Sequence, residues 1–138
     1  MDENHPALVA ARGSWRCVQA KDKQGWLALM ADDVLFEDPI GTGPTNPSGE
    51  GIRGKAALAE FFDTNMAPNT IRFETHESFV AGNESAHVMT LTTSFPNAMR
   101  MTVHGVFTYT VNEAGLLTNL RGYWTVADSK FEKVEDPA

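Results

Sequence analysis

Asp38 closes the segment Val34-Leu35-Phe36-Glu37-Asp38-Pro39-Ile40. The two-residue repeat of a strand puts its carboxylate on the face that carries Val34 and Phe36. An acid on an apolar face must find partners or hold its proton, and either condition suits proton transfer. Three further side chains could act beside it. Tyr109 shares its parity with Phe107, so its hydroxyl either reaches the rim of a core or donates to a ligand. His87 shares its parity with Met89 and Leu91. It reads either as a satisfied core imidazole or as an acid–base partner of Asp38. Ser14, on the first helix, reads as a small packing residue or as a hydroxyl donor. Trp15 beside it carries an indole N–H, although its spacing with Leu8 and Val18 favours packing.

Other chemistries lack their residues. His76 and His104 fall opposite Phe73 and Phe107, with no second ligand at metal spacing, and His5 falls in a terminus expected to be mobile; no metal site is expected. Cys17 is the only cysteine, which excludes a disulfide framework and reads as a small buried residue. There is no Ser-His-Asp order and no glycine-rich phosphate loop after a strand. A reaction without a cofactor, or simple binding, remains.

The 138 residues are most simply one domain, residues 1–138, with 42% apolar and 21% charged side chains. A net charge of −7 disfavours nucleic acid and anionic membranes, both of which need a positive surface. The polar Met1-Asp2-Glu3-Asn4-His5 start is unlike a signal peptide and no apolar run approaches membrane length, so the cytoplasm is the expected location.

The spacing of Leu8, Ala11, Trp15 and Val18 predicts a helix over 6–20, and a second helix is expected over 22–30, ending on Met30. A short strand then carries Val34, Phe36 and Asp38. Gly41 to Gly54, with five glycines and two prolines, reads as a loop that either covers a pocket mouth or is a tolerated insertion. Residues 55–65 predict a third helix with Leu58, Phe61 and Phe62 inward. Alternation in the second half predicts strands: Ile71, Phe73, Thr75 and Phe79 on one face, then His87 to Phe95, then Met101 to Val111. Asn112-Glu113-Ala114-Gly115 is a hairpin turn. The last strand sets Leu116, Leu120, Gly122 and Trp124 against Leu117, Asn119, Arg121 and Tyr123. The tail from Ser129 is expected to be loosely held. Helices followed by antiparallel strands give an α+β fold in which a curved sheet wraps three helices around an apolar pocket.

Three stretches carry a family resemblance: Met30-Ala-Asp-Asp-Val-Leu-Phe-Glu-Asp-Pro-Ile-Gly41, Gly51-Ile-Arg-Gly-Lys-Ala-Ala-Leu-Ala-Glu-Phe-Phe62 and Gly115-Leu-Leu-Thr-Asn-Leu-Arg-Gly-Tyr-Trp124. In order and over nearly the whole chain they resemble the ketosteroid isomerase family, within the cone-shaped α+β roll shared with nuclear transport factor 2. The resemblance implies that Asp38 is the general base of a steroid Δ5-isomerase, in a family whose oxyanion hole combines a tyrosine with a protonated aspartic acid. At the four places where the family carries the tyrosine, its two supporting tyrosines and the aspartic acid, this chain has Ser14, Met30, Phe62 and Phe107. A missing oxyanion donor typically costs on the order of a hundred- to a thousand-fold in rate. Ser14, Tyr109 and His87 are therefore the candidate replacement donors.

The expected ligand is small and apolar, a steroid by resemblance, in a pocket of Trp15, Met30, Phe36, Phe62, Met89, Leu91, Phe107 and Trp124. Three readings follow: a steroid isomerase, a non-catalytic steroid or lipid binder, and a polyketide cyclase- or dehydratase-like enzyme pairing Asp38 with His87. The resemblance also implies a homodimer through the outer sheet face of Thr102, His104, Thr108, Thr110 and Tyr123.

Overall fold

Pro6 opens α1 (Pro6–Gln19), where its missing N–H costs nothing. The His5 ring caps this helix, accepting from Ala7 N at 3.1 Å while its other nitrogen donates to the Gly82 carbonyl at 2.9 Å. His5 thus ties the start of the chain to the sheet, contrary to the mobile terminus expected for it. α2 (Lys23–Ala28) starts on an Asp22 side-chain cap and is shorter than its spacing predicts: Met30 is the first residue of β1 (Met30–Glu37). The structure, a computed structural model, describes residues 1–134.

After β1 the loop leads to β2 (Ile52–Arg53) and α3 (Lys55–Phe61). The helix then widens into a single π-turn over Phe62–Met66, with Ala67 N donating to Phe62 O at 2.8 Å. Four long strands follow: β3 (Thr70–Ala81), β4 (Glu84–Ser94), β5 (Met99–Val111) and β6 (Leu117–Tyr123). The Asn112 side chain closes the β5–β6 turn by accepting from Ala114 N and Leu116 N.

The seven strands form one sheet in the order β2-β1-β6-β5-β4-β3. β7 (Lys130–Lys133) pairs with β5 over Met99–Thr102, on the edge that β6 occupies further along. The tail is therefore stranded over 130–133, where a loose segment was expected; its last four residues lie outside the described residues. Among the described strands only β1 and β6 run parallel, so the fold is the expected mainly antiparallel α+β roll, three helices against a curved sheet that does not close.

Two register shifts overturn strict alternation. A bulge between Thr75 and Glu77 inserts His76 and reverses the parity of the rest of β3. Phe79, expected inside with Ile71 and Phe73, is 58% exposed. A second irregularity, where β6 leaves Val111, turns Leu117 inward, so it is fully buried rather than outward with Asn119 and Arg121. The first bulge also brings His76 and His104 together on the outer face, where both ring nitrogens contact the Thr90 hydroxyl. Val106 and Tyr123 are exposed on the same face. No helix among the described residues is long and apolar enough to cross a membrane.

Candidate active site

The site forms where β1 and β6 end side by side. β1 stops at Glu37, paired with Arg121, and the chain turns at Asp38-Pro39 so that Ile40 N donates to Gly122 O at 2.9 Å. One residue beyond β6, the Trp124 indole Nε1 donates to Asp38 Oδ1 at 2.5 Å. Gly122 makes this contact possible: a Cβ there would lie 2.3 Å from Asp38 Oδ1 and 3.0 Å from Trp124 Nε1.

Burial pushes the Asp38 carboxyl up from 3.8 to about 6, against the opposing pull of the Trp124 N–H on the charged form. At neutral pH it is mostly ionised, yet far more basic than an exposed aspartate. This is the condition a general base needs.

The loop from Gly41 to Gly54 is folded onto the same residues. Asn46, 2% exposed, donates from Nδ2 to Pro39 O and accepts on Oδ1 from Gly51 N, each at 2.9 Å. Its backbone exchanges hydrogen bonds with Gly43 and accepts from Gly49 N. The Thr45 hydroxyl donates to the main-chain oxygen of Asp38. These bonds bring Pro44 and Thr45 to the wall of a cavity of about 170 Å³ that Asp38 and Trp124 also line. The π-turn contributes Asn65 and Met66, and the inner sheet face contributes Ile71, Leu91, Thr93, Phe95, Met101 and Val103. The arrangement can hold a small apolar group against a poised carboxylate.

Residues 11–120 match the SnoaL-like domain family. The chain belongs to it. Among solved structures, the Δ5-3-ketosteroid isomerase from Mycobacterium sp. is 53% identical, with a TM-score of 0.90 over 93% of this chain and 99% of that one. The Mycobacterium tuberculosis protein RV0760c, solved in complex with estradiol-17β-hemisuccinate, is 52% identical with a TM-score of 0.90, over 93% of this chain and all of that one. The chain is thus a ketosteroid isomerase-like member of the family. Epoxide hydrolase LasB of Streptomyces lasalocidi is 34% identical over 127 residues, 84% of this chain. This chain spans about two-fifths of that relative's length.

None of the three expected donors of this ketosteroid isomerase-like chain lines the cavity. Ser14 Oγ accepts from the Trp26 indole at 3.0 Å inside the core. Tyr109 Oη accepts from Trp15 Nε1 at 2.8 Å, and burial raises its pKa above the ordinary phenol value. His87 is fully buried, with Nδ1 on Ser78 Oγ at 2.7 Å and Nε2 on Ser85 Oγ at 2.8 Å. Burial, then the Arg12 charge, lowers its pKa from 6.5 to about 4, so it stays neutral. Both imidazole nitrogens of His87 face serine hydroxyls rather than Asp38. His87 lies opposite Phe107, and Phe107 opposite Gly122, so the His87 backbone is two strands away from the Gly122 position that touches Asp38.

Of the expected pocket residues, Leu91 and Trp124 line the cavity. Trp15, Met30, Phe36, Phe62, Met89 and Phe107 instead pack in the core. Side-chain parity identifies the inward face but not which part of it is filled by the helices. Thr45, Asn46, Asn65, Asn69 and Thr93 were missed. Thr93 was legible on the parity of Leu91. The others depend on loop and π-turn geometry that no periodicity encodes.

Proposed function

We propose that this ketosteroid isomerase-like protein binds a steroid or a similarly flat apolar ligand and that Asp38 acts on it as a general base. The observation that carries this reading is a carboxylate held by one indole N–H, raised to about 6, on the wall of an otherwise largely apolar cavity. On a Δ5-3-ketosteroid, the Asp38 carboxylate takes the proton from the carbon between the ketone and the double bond. The electron pair moves into a dienolate whose charge sits on the ketone oxygen. The protonated Asp38 then returns the proton to the far end of the former double bond, giving the conjugated Δ4 ketone with no net change in composition. Trp124 fixes the carboxylate, and Pro44 and Thr45 supply the loop side of the site.

The cavity of about 170 Å³ is smaller than the roughly 300 Å³ at which ligand pockets usually begin. It therefore accommodates the reacting end of a four-ring ligand, with the remainder outside. The test is turnover of 5-androstene-3,17-dione, followed by the absorbance of the conjugated ketone. Asp38→Asn is expected to lower the rate by a factor of about 10² to 10⁴ while steroid affinity stays within a few-fold. Turnover that survives in that variant rules out Asp38 as the base.

A second reading, binding without turnover, is favoured by the position of Ser14, Tyr109 and His87 away from the cavity wall. Tight steroid binding by the wild type with no absorbance change selects it.

A further inference from the structure

A dienolate beside Asp38 needs a donor on its oxygen, and the cavity wall limits what that donor can be. Apart from Asp38 and Trp124, its polar side chains are Thr45, Asn65, Asn69 and Thr93. The Thr45 hydroxyl already donates to the Asp38 main chain. Asn69 Nδ2 is held by Asn65 O at 2.7 Å. Asn65 Nδ2 has only a long contact, 3.4 Å to Phe61 O, outside the range of a good N–H···O bond. Giving it up costs little, and the amide has a second N–H to offer.

The backbone at Asn65 is also unusual. It lies within the π-turn Phe62–Met66, a widening that opens one helical turn and recurs at functional sites. The turn sets Asn65 on the wall beside Met66. Asn65 and Asp38 line the same cavity, so one bound ligand can meet both.

We propose that Asn65 donates a hydrogen bond from its side-chain amide to the 3-oxygen of the bound steroid, replacing the missing phenol and carboxylic acid as the oxyanion donor. This rests on the reading of Asp38 as the base. A neutral amide is a weaker donor to an oxyanion than a protonated carboxylic acid, so slow turnover is part of the expectation.

The test combines affinity and rate in the full chain. The probes are 4-androstene-3,17-dione and the same steroid lacking the 3-oxygen. The wild type is expected to prefer the ketone by roughly three- to tenfold, one ordinary hydrogen bond. Asn65→Leu is expected to bind both alike, with affinity for the deoxy steroid unchanged, and to lose a hundred- to a thousand-fold in kcat on 5-androstene-3,17-dione. A purely structural role would weaken both steroids equally. Asn65→Ala removes the same amide with less bulk and must give the same pattern. A preference for the ketone that persists in both variants overturns the proposal, and its disappearance in Thr93→Val instead moves the role to Thr93. If the wild type binds neither steroid, the functional reading fails first and this inference with it.

Discussion

Two regions of the inner sheet face bury polar groups among aromatics, and they are built from nearly the same parts. At one, Asp38 accepts from the Trp124 indole; at the other, Tyr109 accepts from the Trp15 indole beside His87, whose ring meets Trp15 edge-on at 4.7 Å. In the Tyr109 region each polar group has a partner inside the protein: indole to phenol, imidazole to two serines. In the Asp38 region the carboxylate has one indole and a cavity. Burial shifts a pKa in both, but of these shifted groups only Asp38 lies on a cavity a ligand can enter. A displaced pKa therefore identifies burial, and the cavity beside it identifies the site.

The contrast is most sharply broken by removing one head group from each region. Asp38→Asn should lower turnover by a factor of about 10² to 10⁴, as above. Tyr109→Phe should leave kcat within a few-fold and cost about 1–3 kcal/mol in denaturant unfolding, because the Trp15 N–H loses its acceptor in the core. A Tyr109→Phe protein that folds normally but has lost its turnover would reverse the assignment.

The pH dependence of stability separates the regions next. Asp38 is raised, so its favourable contribution is complete below about 4 and is lost as pH rises through about 6. His87 is lowered, so its contribution is complete above about 6.5 and is lost as pH falls through about 4. Each contribution is on the order of 3 kcal/mol, and between pH 4 and 6 they oppose one another. The wild type should change little across that window. Asp38→Asn should be more stable than wild type at pH 7 and should lose about 2–3 kcal/mol on acidification to pH 4. A variant whose stability profile follows the wild type would remove Asp38 as a desolvated acid.

The smallest effect tests how the loop joins the open region. Asn46→Ala removes the side-chain bonds to Pro39 O and Gly51 N and should cost about 2 kcal/mol. It should raise the steroid off-rate more than it lowers kcat, since Pro44 and Thr45 lose their anchor. Unchanged off-rates would make the loop a bystander.

Much of this was readable from residue order. Asp38 stood out because an acid interrupts an apolar parity, and the strand alternation of β4 and β5 placed His87, Met89, Phe107 and Tyr109 correctly inward. What alternation lacks is register. One inserted residue, His76, carries Phe79 to the surface and sets His76 beside His104 across Thr90. Nor does inward mean open: Met89 and Leu91 share a face, but only Leu91 reaches the cavity. Asn46 and Asn65 were hidden for a further reason. Their roles come from a buried loop hub and from one widened helical turn, both set by tertiary packing rather than by local pattern.

Asp38 stands as a desolvated carboxylate at the cavity wall. Carboxyl-carbon NMR of the selectively labelled protein, titrated from pH 3 to 9 without ligand, tests it directly. A midpoint near 6 is expected for Asp38, moving higher in Trp124→Phe as the indole N–H is lost. A midpoint near the ordinary aspartate value of about 3.9, unmoved by Trp124→Phe, would contradict it.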